Sequence, residues 1–89
     1  TLRMLMAHRS GLMREPPLGS YFDNKPPDLK GTITSLNDLP LIYAPKERLK
    51  YSNAAIAVVG RVLEVVDKKP FADAVAERTL AKLKMSGSS

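Results

Sequence analysis

A chain of 89 residues makes one small domain at most, and a domain of that size buries only a modest share of its surface. With no cysteine there is neither a disulfide framework nor a thiolate metal site, and a single histidine with scattered carboxylates forms no ligand cluster for a metal. The formal charge of +5 is dispersed, five basic and four acidic residues in the first 45 and nine and five in the rest; without a basic stripe, and with few aromatics to interleave, it argues against nucleic-acid binding.

No signal peptide is visible, and no apolar run reaches the roughly 20 residues that span a bilayer. Thr1 is not a natural start residue, so the expectation is of a protein that begins upstream.

In chain order, the first predicted element is a helix within 1–10. Leu2, Leu5 and Met6 recur at helical spacing, Thr1 suits the N-cap, and Ser10-Gly11 stops it, since Gly11 takes a left-handed conformation at low cost. Next comes a Pro-rich loop region over 13–50. Pro16-Pro17, Gly19, Asn24, Pro26-Pro27 and Gly31 punctuate it, and each proline fixes φ and removes a donor. Loops of such length in compact domains tend to be functional. A disordered linker is the alternative, against which Leu18, Tyr21, Phe22 and Leu29 weigh. A short helix is expected near 35–39, capped by Ser35, followed by an extended piece, Leu41 to Tyr43, between Pro40 and Pro45.

The strongest helical signal runs over 53–67. Its interior is Ala, Ile, Val and Leu on almost every face, with Arg61 and Glu64 as the polar stripe. Such a helix should be buried on nearly every face, more than two short neighbours can cover. It therefore suggests either a piece of a larger protein or self-association through 53–67. A last helix is expected over 70–83, with Pro70 at its start and Ala72, Val75, Ala76, Thr79, Leu80 and Leu83 on its apolar face.

Three places carry candidate chemistry. In Tyr51-Ser52-Asn53, a phenol and an amide two positions apart can face one cleft, but a phenol is a weak base at neutral pH and needs a neighbouring cation to act as one. Spacing alone is read more simply as a helix start, with Ser52 or Asn53 as cap and Tyr51 packed on the first turn. His8 can be a general base; a histidine at a helix end bonded to backbone is the simpler reading. Ser10 precedes a glycine, but Gly-x-Ser-x-Gly is absent.

Taken together, Thr1 to Leu12 with its His8-Arg9-Ser10-Gly11-Leu12 ending, Tyr51-Ser52-Asn53, and the stretch from Gly60 to Met85 resemble the serine β-lactamase-like family of class C β-lactamases, D-alanyl-D-alanine carboxypeptidases and related esterases. The resemblance covers nearly the whole chain. It implies a mainly α chain, the helical portion of an α/β serine β-lactamase-like (penicillin-binding, DD-peptidase) fold with the sheet not included. It also implies acyl transfer through a covalent acyl-enzyme, with Tyr51 as catalytic base and acid, Asn53 binding substrate or orienting a lysine, and His8 structural. No cofactor is implied. The partner would be a small-molecule or peptidoglycan-type acyl substrate of the parent protein, and a periplasmic or secreted location goes with the family.

The chain also departs from the family pattern. No Ser-x-x-Lys, Lys-Thr-Gly or His-x-Gly occurs in these residues. The chain alone should therefore be inactive. A helical protein-interaction module and a non-catalytic family member are the alternatives. Lys46, Lys68 and Lys84 stand where the family has glycine, and where such a glycine holds positive φ a lysine costs about 1 kcal/mol or more.

Overall fold

The computed structural model describes residues 1–88, and all regular structure among them is helical. Helix α1 is Leu2–Met6, α2 is Leu29–Thr34, α3 is Asn53–Asp67, and α4 is Phe71–Val75, which runs directly into a π turn, Ala76–Leu80. Helix α3 is the hub: α1, α2 and α4 each pack on it.

Helix α1 is capped as its sequence suggests, with Thr1 Oγ1 accepting from the Met4 N–H at 3.3 Å. It stops earlier than Ser10-Gly11. His8 turns left-handed at φ 55°, and the chain leaves the helix there. Gly11 has its own reason to be glycine: at φ 82° a Cβ would sit 1.9 Å from the Tyr43 carbonyl oxygen. That close approach lets the segment after α1 lie against residues 42–54. The Ile42 N–H bonds the Gly11 carbonyl at 2.8 Å, Lys46 bonds Arg9 at 2.8 Å, Lys50 bonds His8 at 2.9 Å, and Asn53 bonds Arg14 at 2.8 Å.

The short helix expected near 35–39 forms instead at Leu29–Thr34. Asp28, directly after Pro26-Pro27, is the N-cap, accepting from the Gly31 N–H at 2.7 Å. Ser35 lies at the other end as C-cap and donates its hydroxyl to the Thr32 carbonyl at 2.6 Å, which closes a helix rather than opening one. Residues 35–38 are turns.

The last helix also differs from the single element expected over 70–83. After Phe71–Val75 the ladder widens, with the Ala81 N–H bonding the Ala76 carbonyl at 2.8 Å and Met85 bonding Leu80 at 2.9 Å, five residues apart. Two ion pairs reach back from within the widened turn, Arg78 to Asp67 and Glu77 to Lys69. They tie it to the end of α3, an anchorage that a stripe reading of 70–83 does not contain. The buried residue there is Ala74, outside the expected stripe, while Leu83 is 63% exposed.

Helix α3 spans Asn53–Asp67, but it is not buried on nearly every face. Its buried positions are Ala54, Ala55 and Gly60, and Ile56, Val65 and Val66 lie at the surface. The expected polar stripe turns inward instead. Arg61 pairs with Glu64 at 2.9 Å, and the other Glu64 oxygen accepts the Phe71 N–H at 2.9 Å, so the stripe pins the start of α4 to α3. At Gly60 a Cβ would meet Leu29 at 3.3 Å and Phe71 at 3.5 Å, which shows how closely α2 and α4 approach this point.

The three lysines that stand in glycine positions are all left-handed: φ is 73° at Lys46, 55° at Lys68 and 57° at Lys84. Lys68 is the C-cap of α3, where glycine is the usual occupant. Relieving this strain outweighs glycine's extra unfolded-state entropy, so Lys46→Gly, Lys68→Gly and Lys84→Gly should each raise stability by about 0.5–1 kcal/mol in urea titrations. Lys69→Gly, beside one of these sites and itself paired with Glu77, should give no such gain.

The carboxyls of Glu64 and Asp67 are held below the usual carboxylate range, chiefly by the side-chain hydrogen bonds from Arg61 and Arg78 respectively. A group depressed in the folded state stabilises above its unfolded value, and this is lost as pH falls through the folded one. Helical circular dichroism should therefore decline below about pH 4, less steeply in Asp67→Asn, with salt weakening the dependence.

Candidate functional site

The Tyr51–Asn53 string is built around Ser52, which is fully buried although its neighbours on either side are not. Its backbone is extended, φ −144° and ψ 109°, and in extended chain alternate residues share a face. Ser52 thus turns inward, while Tyr51 and Asn53 flank it with less burial, Tyr51 against His8 and Asn53 against Glu15. Inside, the Ser52 hydroxyl donates to the Met13 carbonyl at 2.6 Å and accepts the Ala55 N–H at 3.0 Å. One side chain therefore caps α3 and fastens it to the segment after α1.

His8 completes that fastening. Its Nδ1 accepts the Ser52 N–H at 3.2 Å, which requires Nδ1 to be unprotonated, and its ring lies 4.6 Å from the Tyr51 ring, tilted by 33°. His8 is a structural support for the Tyr51–Ser52 backbone, bonded to backbone at the end of a helix.

Two residues that spacing did not single out complete the constellation. The Arg14 guanidinium stands 5.7 Å from the centroid of the Tyr51 ring and its Nε is 3.7 Å from Glu15 Oε1. The same Glu15 oxygen accepts from Asn53 Nδ2 at 2.6 Å. Tyr51, Arg14, Glu15 and Asn53 therefore form one continuous polar rim. Arg14 and Glu15 lie 37 and 38 residues before their partners, and only the pairing of the two segments brings them there.

Asn53 and Glu15 border a cleft of about 650 Å³ between the Pro-rich loop and helices α3 and α4, with Tyr21, Leu29 and Phe71 among its walls. Tyr51 does not line this cleft. It is 54% exposed, stacked on His8. The string thus presents an amide to a largely apolar recess and a phenol to the open surface beside it. Among the described residues no three His, Asp or Glu side chains gather as a metal site, and no helix is long and apolar enough to cross a membrane.

Removing the Ser52 hydroxyl strips a cap and leaves a buried carbonyl and a buried N–H unpaired. Ser52→Ala should cost about 2–3 kcal/mol in a urea titration, and a loss under about 0.5 kcal/mol would mean that the hydroxyl is not what joins the two segments.

A family model described as Beta-lactamase matches residues 1–89, whereas no curated protein and no solved structure matches. That match runs from α1 and its left-handed exit at His8, through the Ser52-capped entry to α3, to the end of the chain. The all-helical content is consistent with a helical portion of that family's fold, and the chain belongs to the Beta-lactamase family.

Proposed function

We propose that this chain supplies the Tyr-x-Asn wall of a serine hydrolase that works through an acyl-enzyme, the nucleophilic serine and its lysine coming from residues outside these 89. The observation that carries the reading is the placement of Tyr51 and Asn53 on either side of the buried Ser52, joined through Arg14 and Glu15, within a chain of the Beta-lactamase family. In this scheme Tyr51 acts as a phenolate beside the lysine cation supplied from outside these residues: it takes the proton of the serine hydroxyl as the serine oxygen attacks the acyl carbon, then gives that proton to the departing amine or alkoxide. Water repeats the exchange in reverse to free the acid. Asn53, at the mouth of the cleft, orients the lysine or the acyl amide through its donor and acceptor atoms. The apolar walls of the cleft suit an acyl group, whether β-lactam, peptide or ester.

Exposed Ile56, Val65 and Val66, at 44%, 59% and 66%, fit this reading as a face covered by the rest of the enzyme. They equally favour a second reading, a helical module that docks on a partner or a second copy. Monodisperse, monomeric sedimentation of the complete protein would count against that second reading.

In the complete protein, a fluorophosphonate or penicillin probe should form a covalent adduct on a serine outside this segment. Tyr51→Phe, which keeps the ring against His8, should slow labelling by about 10²-fold or more. Labelling at the full rate would remove Tyr51 from the mechanism.

A further inference from the structure

We propose that Glu15 is a positioning residue for Asn53, fixing which atoms the amide turns toward the cleft; the proposal rests on the acyl-transfer reading above. An amide side chain has two orientations 180° apart that differ little in shape and wholly in chemistry, one presenting oxygen where the other presents nitrogen. An ionised carboxylate accepts and cannot donate, so a 2.6 Å contact to Glu15 Oε1 admits only Nδ2 on that side. Oδ1 and the second N–H are then left as a fixed acceptor and donor, and among the described residues Asn53 makes no other side-chain hydrogen bond.

The carboxylate is itself well placed to do this. Arg14 Nε lies 3.7 Å from the same Oε1 and draws it toward the Tyr51 side of the rim. The Arg14 carbonyl accepts both the Asn53 N–H at 2.8 Å and the Ala54 N–H at 3.1 Å. The backbone next to Glu15 is therefore bolted to the backbone of Asn53, which fixes the separation of the two side chains. Both residues border the same cleft. Among the partners of Asn53, Glu15 touches only the side chain, so its loss acts on amide orientation, whereas the loss of Ser52 acts on the whole helix entry.

The test is a double-mutant cycle in the complete protein, read as the second-order rate of labelling by a fluorophosphonate probe. Glu15→Ala should lower that rate about tenfold in the otherwise native protein and by no more than about twofold in the Asn53→Ala background. Glu15→Met, of similar length but without an oxygen, should repeat the result if the alanine variant folds poorly. Glu15→Gln, which retains an accepting oxygen, should stay within about threefold of the native rate. Equal losses in both backgrounds would overturn the proposal while leaving the acyl-transfer reading intact. A native protein that takes no label would remove that reading and the proposal with it.

Discussion

The buried hydroxyl of Ser52 is the joint on which the remaining geometry depends. It caps α3 and donates to the Met13 carbonyl, so the longest helix and the segment after α1 share one fixed point. His8 below it and the Arg14 carbonyl beside it add bonds to the Ser52, Asn53 and Ala54 N–H groups. The Ser52, Asn53 and Ala54 donors are thereby given partners from segments some forty residues away, and Ser52 itself takes the Ala55 N–H. The helix N-terminus, which would otherwise need water, is closed by protein.

This joint explains why Tyr and Asn flank a small polar residue. The middle residue must be short enough to vanish into the interface and polar enough to satisfy a carbonyl and an N–H there. Serine meets both requirements, and its inward turn in extended backbone leaves the less buried positions on either side to Tyr51 and Asn53. The proposed catalytic face is a consequence of the cap, so the capping role and the chemical role of Tyr51-Ser52-Asn53 are parts of one arrangement.

Local chemistry made much of this legible. The apolar run over 53–67 and the cap at Thr1 follow from short-range rules, as does a backbone partner for His8 though not its identity as Ser52, and resemblance pointed to Lys46, Lys68 and Lys84 as left-handed sites. What escaped depends on distant partners. Helix α2 forms at Leu29 because Asp28 caps it after two prolines, while the competing Ser35 signal serves the opposite end. The π turn at Ala76–Leu80 carries Glu77 and Arg78, whose ion pairs reach back to Lys69 and Asp67. Arg14 and Glu15 carry no local mark at all, and they acquire meaning only when Gly11 lets their segment approach residues 42–54.

The same contrast bears on how this portion holds its shape. Its fully buried apolar side chains are alanines, and Ser52 is the largest fully buried side chain among the described residues. An alanine methyl contributes on the order of 0.8 kcal/mol on burial, little against the entropy of ordering a residue. Order here therefore rests heavily on polar clamps: the Ser52 joint, the Glu64 bracket between α3 and α4, and the Asp67–Arg78 pair. Such clamps are directional, whereas packing is not, and direction is what the proposed Tyr-x-Asn wall needs. The apolar surface of Ile56, Val65 and Val66 is the complement of that design. Hydrophobic burial on that side of α3 is slight, while the polar joints hold Tyr51 and Asn53 on either side of Ser52.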